Sequence, residues 1–595
     1  MKTQLMKIRL ELYLKTVKKK YCCLPKDIGV VYSLIKKCFF NRFLILTNLG
    51  GICVLISNNV FNPYPRSRKS VYAKNGMVAT SQVAASQAGL DILKKGGNAI
   101  DAAVATAACL TVVEPTSNGI GSDAFAIVHF HGKTYGLNSS GPSPKKLTKK
   151  ALEKLGYQRM PIHGWLPIDV PGTPSGWAAL VTKFGKLTLL EDLQPAIDYA
   201  RNGYVVSQIL ARFWRKAYAA YLKEARLSPS FQRSFKEWQR IFTNHGKTPI
   251  PGEIWKSPDH AKTLEEIGST NAESFYRGKL AQKIVAASIS NGGLLRSDDL
   301  SNYHSEWVTP LSVQYHGYDV LELPPNGQGI VTLEALGILD NFNFSSRDNF
   351  DTTHKQIEAI KLAFSDLFDY VGDPTTMKID PHDLLAKSYL KNQSEKISDI
   401  AQSPNPSEVN KSGTVYLCTA DSEGNMVSYI QSNYMGFGSG VVVPNTGIAL
   451  NNRANNFTFD RTSANCLEGG KRPLNTIIPG FLKKDGEAVG PFGVMGGFMQ
   501  PQGHLQVLMN AIDFGLDPQG SLDAPRWQWM SGNHIDFEQE WSSSLLAQLQ
   551  KAGHIITVNP EPNTFGRGQI IWRNPETGTY VGGSESRTDG AIAAW

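Results

Sequence analysis

Ser412-Gly413-Thr414 puts a hydroxyl side chain where a polar segment with two prolines (residues 401 to 413, AQSPNPSEVNKSG) gives way to VYLCTADSEGNMVSYIQSNY. A threonine hydroxyl is a useful nucleophile only with a base beside it, and a threonine in mid-chain has none. Gly-Thr recurs at Gly172-Thr173 and Gly578-Thr579, so on β-propensity alone Thr414 reads as the start of a strand. Gly496-Gly497 offers two backbone amides unobstructed by side chains, the kind of donors an acyl-transfer oxyanion needs. The same dipeptide at Gly96-Gly97 and Gly469-Gly470 reads equally as a turn. Ser432, taken alone, is a polar residue alternating on a sheet face.

The elements that must hold these residues are legible in outline. Residues 414 to 434 read as a strand, a turn at Glu423-Gly424-Asn425 and a second strand. Upstream, ATSQVAASQAGLDILKKGGNAIDAAVATAACLTVV reads as two helices joined at Gly96-Gly97, with Thr80 or Ser81 capping the first and Asn98 the second. The small-residue face of the second (Ala102, Ala103, Ala105, Ala107 and Ala108) suits close packing in a core. HKQIEAIKLAFSDLFDYVGDP carries Ile357, Ile360, Phe364, Leu367 and Phe368 on one helical stripe and stops at Gly372 and Pro374.

Other chemistries lack their motifs. GIGSDA (119 to 124) matches a dinucleotide fingerprint only formally, because a helix precedes it and the strand-like AFAIVHF follows, the reverse of the required order. There is no H-E-x-x-H, no G-x-S-x-G, no CxxC pair and no P-loop glycine ahead of either GKT.

The 595 residues, 41% hydrophobic and 19% charged, describe an ordinary globular chain, and the length suggests about four domains on a soft prior. The net charge of +9 resides in residues 1 to 60, which hold 11 Lys/Arg against Glu11 and Asp27. The neutral remainder gives no reason to expect a nucleic acid partner. Four of the seven cysteines (Cys22, Cys23, Cys38, Cys53) lie in the same extension; Cys109, Cys418 and Cys466 are no disulfide framework. Residues 43 to 57 (FLILTNLGGICVLIS) follow a basic stretch and resemble a signal anchor, yet fall short of the roughly 20 residues a spanning helix needs. The extension therefore reads either as an anchor, giving a membrane-held or periplasmic protein, or as a disordered leader to a cytoplasmic one. Membrane contact is expected only through residues 43 to 57.

Residues 414 to 460, then GKRPLNTIIPG and GVMGGFMQPQGH, resemble the gamma-glutamyltransferase family, as do the earlier GMVATSQ, GGNAIDAAVA and VPGTPSGW. The resemblance runs from Phe61 to Trp595 with its motifs in order. It implies an α+β fold, the αββα four-layer sandwich of N-terminal-nucleophile hydrolases. It also implies a precursor that cleaves itself between Gly413 and Thr414. The products are a large subunit (61 to 413, behind the 1 to 60 extension) and a small one (414 to 595), held as an obligate heterodimer. Cleavage supplies what the mid-chain threonine lacks: a new α-amino group, with a reference pKa of roughly 7.7 to 8.0, within reach of its own Oγ. By the same resemblance Ser432 matches a hydroxyl that contacts the nucleophile, and Gly496 and Gly497 match the oxyanion pair. The substrate is a small-molecule amide, and no metal or organic cofactor is implied.

The substrate-binding positions depart from the family. LNSSGPSP (137 to 144) has no basic side chain where the family has its carboxylate-binding arginine, leaving Ser139 and Ser140 as neutral substitutes. Asn456 stands where an acid pairs with the substrate ammonium, Arg453 and Tyr434 replace polar neighbours, and Asn475-Thr476 replace two serines. Losing a carboxylate partner from a partly desolvated site costs about 2 to 5 kcal/mol. The expected donor is thus a γ-glutamyl-like or dicarboxylic acyl group, with Arg453 taking its carboxylate, as in the acylase-like branch with its cephalosporin and glutaryl acylases. The alternative for Arg453 is an exposed structural residue. The segment Phe457 to Gly470, only 14 residues, predicts a more open pocket than in members with a longer lid. The rival readings are a true gamma-glutamyltransferase or glutathione hydrolase with a rearranged clamp, and a non-catalytic binding member. Retention of Gly413, Thr414, Ser432, Gly496 and Gly497 argues against the last.

Overall fold

The computed structural model describes residues 68–403 and 413–595; the extension and its 43 to 57 segment lie outside the described residues. Among the described residues no helix is long and apolar enough to cross a membrane.

Two seven-stranded sheets dominate. Their strands, in chain order, are β1 (Val71–Ala73), β2 (Gly76–Thr80), β3 (Asp123–Phe130), β4 (Lys133–Ser139), β5 (Glu306–Val308), β6 (Leu311–Tyr315) and β7 (Tyr318–Glu322). After these come β8 (Gly413–Asp421), β9 (Met426–Tyr434), β10 (Gly480–Lys484), β11 (Glu487–Met495), β12 (Arg567–Arg573), β13 (Tyr580–Ser584) and β14 (Ala591–Ala594). One sheet runs β1-β13-β12-β11-β10-β7-β6 and the other β14-β2-β8-β9-β3-β4-β5. The sheets touch through β8 and β9 on one side and β11 and β12 on the other.

Helices cover the outer side of each sheet. α1 (Val83–Lys94) and α2 (Ala99–Val113) pack on β2, β8 and β9, while α3 (Gly329–Leu339) packs on β6 and β7. Behind α3 lies α4 (Phe350–Tyr370), and α5 (Met499–Ile512) packs on β11. Apolar side chains gather into two large clusters, one around α1, α2 and the β8-containing sheet, the other around α3, α4, α5 and its partner.

Local sequence explains the elements nearest the site. α2 is buried at every residue, which its run of small side chains permits. Asn98 caps it as expected, accepting from the N–H groups of Ile100 and Asp101, and Asp101 returns a bond to the Asn98 amide. Gly96, at φ +107°, ends α1 in a conformation that favours glycine. The expected cap of α1 is not made: Gln82 occupies the cap position without a side-chain bond. Thr80 instead donates to the carbonyl of Tyr416 at 3.0 Å and Ser81 to the Glu114 carboxylate, because Thr80 ends β2 and Ser81 lies in the bend after it, ahead of the helix.

β8 and β9 form the predicted hairpin. The side chain of Tyr416 points into the gap between the sheets, so close to β11 that a Cβ at Gly493 would lie 2.4 Å from its ring. Strand alternation then aims Thr414, two residues earlier, into the same gap. On the opposite face Thr419 donates to the carbonyl of Ala99 at 2.7 Å.

Candidate active site

Thr414 sits at a bulge: Gly413 pairs with Tyr434 and Val415 with Gln431, so Thr414 alone on β8 faces Ser432 and Asn433 on β9. The register of the rest of the hairpin, with Val415 opposite Gln431, puts Ser432 beside Thr414. Thr414 Oγ1 donates to Ser432 Oγ at 3.2 Å, and Ser432 Oγ donates in turn to the carbonyl oxygen of Gly413 at 2.7 Å. The N–H of Tyr434 donates to the same Ser432 oxygen at 2.8 Å and fixes its rotamer. Two hydroxyls thus connect the attacking group to the carbonyl of the very peptide bond it would attack.

The Gly496-Gly497 pair lies between the end of β11 and the start of α5, with φ of +141° and +65° respectively. Both values favour glycine, so this is more than an incidental Gly-Gly turn. Neither N–H makes a hydrogen bond within the described residues, and both precede a helix N-terminus, where backbone donors and the helix dipole favour negative charge. Gln328 Nε2 clamps the loop by donating to the carbonyls of Gly497 (2.8 Å) and Thr476 (2.6 Å). Gln500, in the first turn of α5, donates to Thr414 Oγ1 at a long 3.5 Å while its Oε1 accepts from the N–H of Ile478. The first turn of α5 therefore reaches the threonine.

Arg453 is fully buried, which removes the surface alternative. Its guanidinium lies over the Tyr434 ring at 4.7 Å, donates to Thr476 Oγ1 at 2.8 Å and pairs through Nε with Asp123 at 3.5 Å. Asn475 Nδ2 donates to the same Asp123 oxygen at 3.0 Å. Asp123 is directly opposite Ser432 across the β3/β9 register, which places both side chains on one face of the sheet.

A second buried acid, Asp169, completes the electrostatics, and neither of its carboxylate oxygens has a hydrogen-bond partner among the described residues. Burial pushes the Asp123 carboxyl up to about 6 against the opposing pull of Arg453. Burial, and then the charge of Asp123, hold Asp169 well above the usual carboxylate range. Burial also lowers Arg453 from its ordinary value, opposed by Asp123 and Asp169. Asp123 on β3 thus gives Arg453 a buried partner, so Arg453 is no uncompensated cation.

Asn456 and Ser140 stand apart from this cluster. Asn456 Nδ2 donates to the carbonyl of Leu474 at 2.9 Å, a backbone-bracing role. Ser140 Oγ donates to Asn138 Oδ1 at 2.8 Å and accepts from Asn326 Nδ2 at 3.2 Å, and Ser139 donates to the carbonyl of Gly172. The expected open pocket is not seen among the described residues: Thr414, Ser432, Asn475 and Thr476 are all fully buried between the sheets.

A family model described as Gamma-glutamyltranspeptidase matches residues 85–595. The chain belongs to the gamma-glutamyltranspeptidase family. It is 36% identical over 534 residues to the "Glutathione hydrolase-like YwrD proenzyme" of Bacillus subtilis, covering 88% of this chain and 99% of that one. With the "Oxamate amidohydrolase proenzyme" of Klebsiella pneumoniae it shares 32% identity, covering 88% and 98%. The solved structure of a cephalosporin acylase from Bacillus halodurans superposes with a TM-score of 0.86 at 53% identity, covering 91% of this chain and 99% of that one. The protein is accordingly an enzyme of the amide hydrolase and transferase class, with the mixed helix-and-sheet fold of the N-terminal-nucleophile hydrolases.

Four residues of the site had no clear mark in the sequence: Asp123, Asp169, Gln328 and Gln500. Asp123 lies inside the GIGSDA run, where attention falls on the glycines. A carboxylate at the first position of a strand whose remaining residues are apolar was the available signal.

Proposed function

We propose that this enzyme cleaves itself between Gly413 and Thr414 and then uses Thr414 as both nucleophile and, through its new α-amine, general base. The observation carrying this reading is the hydroxyl relay from Thr414 through Ser432 to the carbonyl of Gly413. In the precursor, Thr414 Oγ attacks the Gly413 carbonyl carbon while Ser432 stabilises the charge growing on its oxygen. An N-to-O acyl shift gives an ester, which water hydrolyses to leave residues 1 to 413 and a chain beginning at Thr414. The proenzyme names of the relatives support the same sequence of events. The two products stay together as a heterodimer, and the facing sheets with their outer helices support the four-layer αββα arrangement.

In turnover Thr414 Oγ attacks the donor amide, the Gly496 and Gly497 amides hold the oxyanion, and the α-amine passes the proton to the departing amine. Water, or a second amine, then releases the acyl group. The donor is a γ-glutamyl-like or dicarboxylic acyl amide whose carboxylate is received by Arg453, Asn475 and Thr476. Denaturing gels of purified protein test the mechanism: two bands are expected, with Thr414→Ala giving one inactive band. A single band that still turns over substrate overturns it.

A second reading, a true gamma-glutamyltransferase with a rearranged clamp, draws support from Asp169. Its unpartnered oxygens could accept the ammonium of a γ-glutamyl donor, while Arg453 Nη2, itself buried and without a hydrogen-bond partner among the described residues, could take the donor's α-carboxylate. Release rates on a γ-glutamyl anilide against a glutaryl anilide separate the two readings.

A further inference from the structure

Away from the nucleophile, a second cluster of chemically capable side chains lies behind α3. His354 and Glu358 are four residues apart on α4 and share a face. His554 meets them from the turn that follows the helix Ser543–Lys551. His354 Nδ1 and His554 Nε2 are 2.9 Å apart, and His554 Nε2 lies 3.8 Å from Glu358 Oε1. One ligand-type atom from each of the three residues lies within 4.8 Å of the others. All three residues are buried.

The other nitrogen of His354 is 2.7 Å from the carbonyl of Ser398. A carbonyl only accepts, so Nε2 carries the proton and Nδ1 presents its lone pair to the cluster. An imidazole oriented by a backbone carbonyl on its far side is the usual outer support of a metal-binding histidine. His554 has only to carry its proton on Nδ1 rather than Nε2 to present a second lone pair, so binding releases no proton.

We propose that His354, Glu358 and His554 form a binding site for a divalent transition metal ion, zinc foremost. Two imidazoles and one carboxylate are a zinc-type donor set, and they leave a fourth position for water. Zinc–ligand bonds of about 2.1 Å set tetrahedral donor atoms roughly 3.4 Å apart, so the separations of 2.9 and 3.8 Å each lie near that spacing and the third, within 4.8 Å, closes by side-chain adjustment. Lys361 is the competitor: its Nζ lies 2.8 Å from Glu358 Oε1. It also donates to the carbonyl of Gln402 at 2.9 Å and to Asn533 Oδ1 at 3.1 Å, and keeps both partners when a metal takes the carboxylate.

Two ligands precede residue 413 and the third follows it, so the ion would fasten together the two sides of the proposed cut. The site does not depend on that cut, nor on the identity of the acyl donor.

The test uses the full chain, stripped with a chelator and then titrated with Zn²⁺ alone by calorimetry and with Co²⁺ as a visible-absorption probe. One equivalent of either metal, a Co²⁺ spectrum of low-coordinate nitrogen and oxygen ligation, and a higher thermal midpoint are expected. His554→Gln should lose that equivalent while keeping amide-release activity, which shows that the variant is folded. Lys361→Gln should bind at least tenfold more tightly. Absence of a stoichiometric equivalent in the wild-type chain overturns the proposal whatever the variants do, and so does an unchanged equivalent in a folded His354→Gln/His554→Gln chain.

Discussion

Thr414 and Ser432 are joined by a hydrogen bond of 3.2 Å, and Ser432 passes it on to the carbonyl oxygen of Gly413 at 2.7 Å. The register that pairs Val415 with Gln431 puts Ser432 opposite Thr414, and the ladder shifts only at Gly413, which pairs with Tyr434. A hairpin held throughout in the Gly413–Tyr434 register would set Asn433 rather than Ser432 across from Thr414 and break the relay.

Ser432→Ala should therefore slow both cleavage and turnover. Loss of one donor aimed at a developing oxyanion costs about 10² to 10³ in rate. A gel time course of band formation after synthesis measures it, and Ser432→Thr should restore most of the rate. Normal cleavage in the alanine variant would remove Ser432 from the mechanism.

Gly496→Ala separates strain from crowding. A Cβ there would meet its nearest neighbour at an ordinary 3.4 Å, so the cost comes from the φ of +141°. The loop should shift, misalign the oxyanion amides and lower kcat by at least tenfold, with KM changed much less. An unchanged kcat would show that these amides do not hold the oxyanion.

Arg453→Met should destabilise the fold by about 3 to 5 kcal/mol, because it leaves Asp123 and Asp169 buried without their cation. Adding Asp123→Asn should recover part of that loss. Urea unfolding of both single variants and the double gives the coupling, and strictly additive values would mean that Arg453 and Asp123 do not stabilise each other.

The pH dependence follows from Asp123. Its folded pKa of about 6 lies above the ordinary carboxylate value of about 3.9, so the folded state binds this proton more tightly than the unfolded state. That contribution to stability is fully present below about pH 4 and is lost as pH rises through about 6. Unfolding free energy should fall across this window by at most about 1.4 kcal/mol per pH unit from this group. Asp123→Asn should flatten the slope there while leaving the part due to Asp169, whose raised pKa acts in the same direction. Equal slopes in wild type and variant between pH 4 and 6 would contradict the assignment.

Much of this arrangement is legible in the sequence because it is local. The strand, turn and strand from 414 to 434 announce themselves by alternation and by Glu423-Gly424-Asn425, and the capping role of Asn98 follows from the helix after it. The acid beside Arg453 is not local: Asp123 and the Asn475 that donates to it are 352 positions apart and meet only once the sheet is built. Arg453 looked like a free cation for the same reason. The misplaced cap of α1 has a different origin, since Thr80 and Ser81 suit a helix start but are held by Tyr416 and Glu114, partners that no short window contains.

In the sheet ordered β14-β2-β8-β9-β3-β4-β5, strands from before and after residue 413 alternate, with the β8/β9 hairpin wedged between β2 and β3. A nick at 413 consequently severs one peptide bond while leaving a braid: neither fragment owns a complete sheet, so neither should be obtainable in native form by itself. Making the enzyme from two separate genes would demand that the fragments fold around each other, whereas a single chain, if cut as proposed, fixes their one-to-one ratio and completes the threading first.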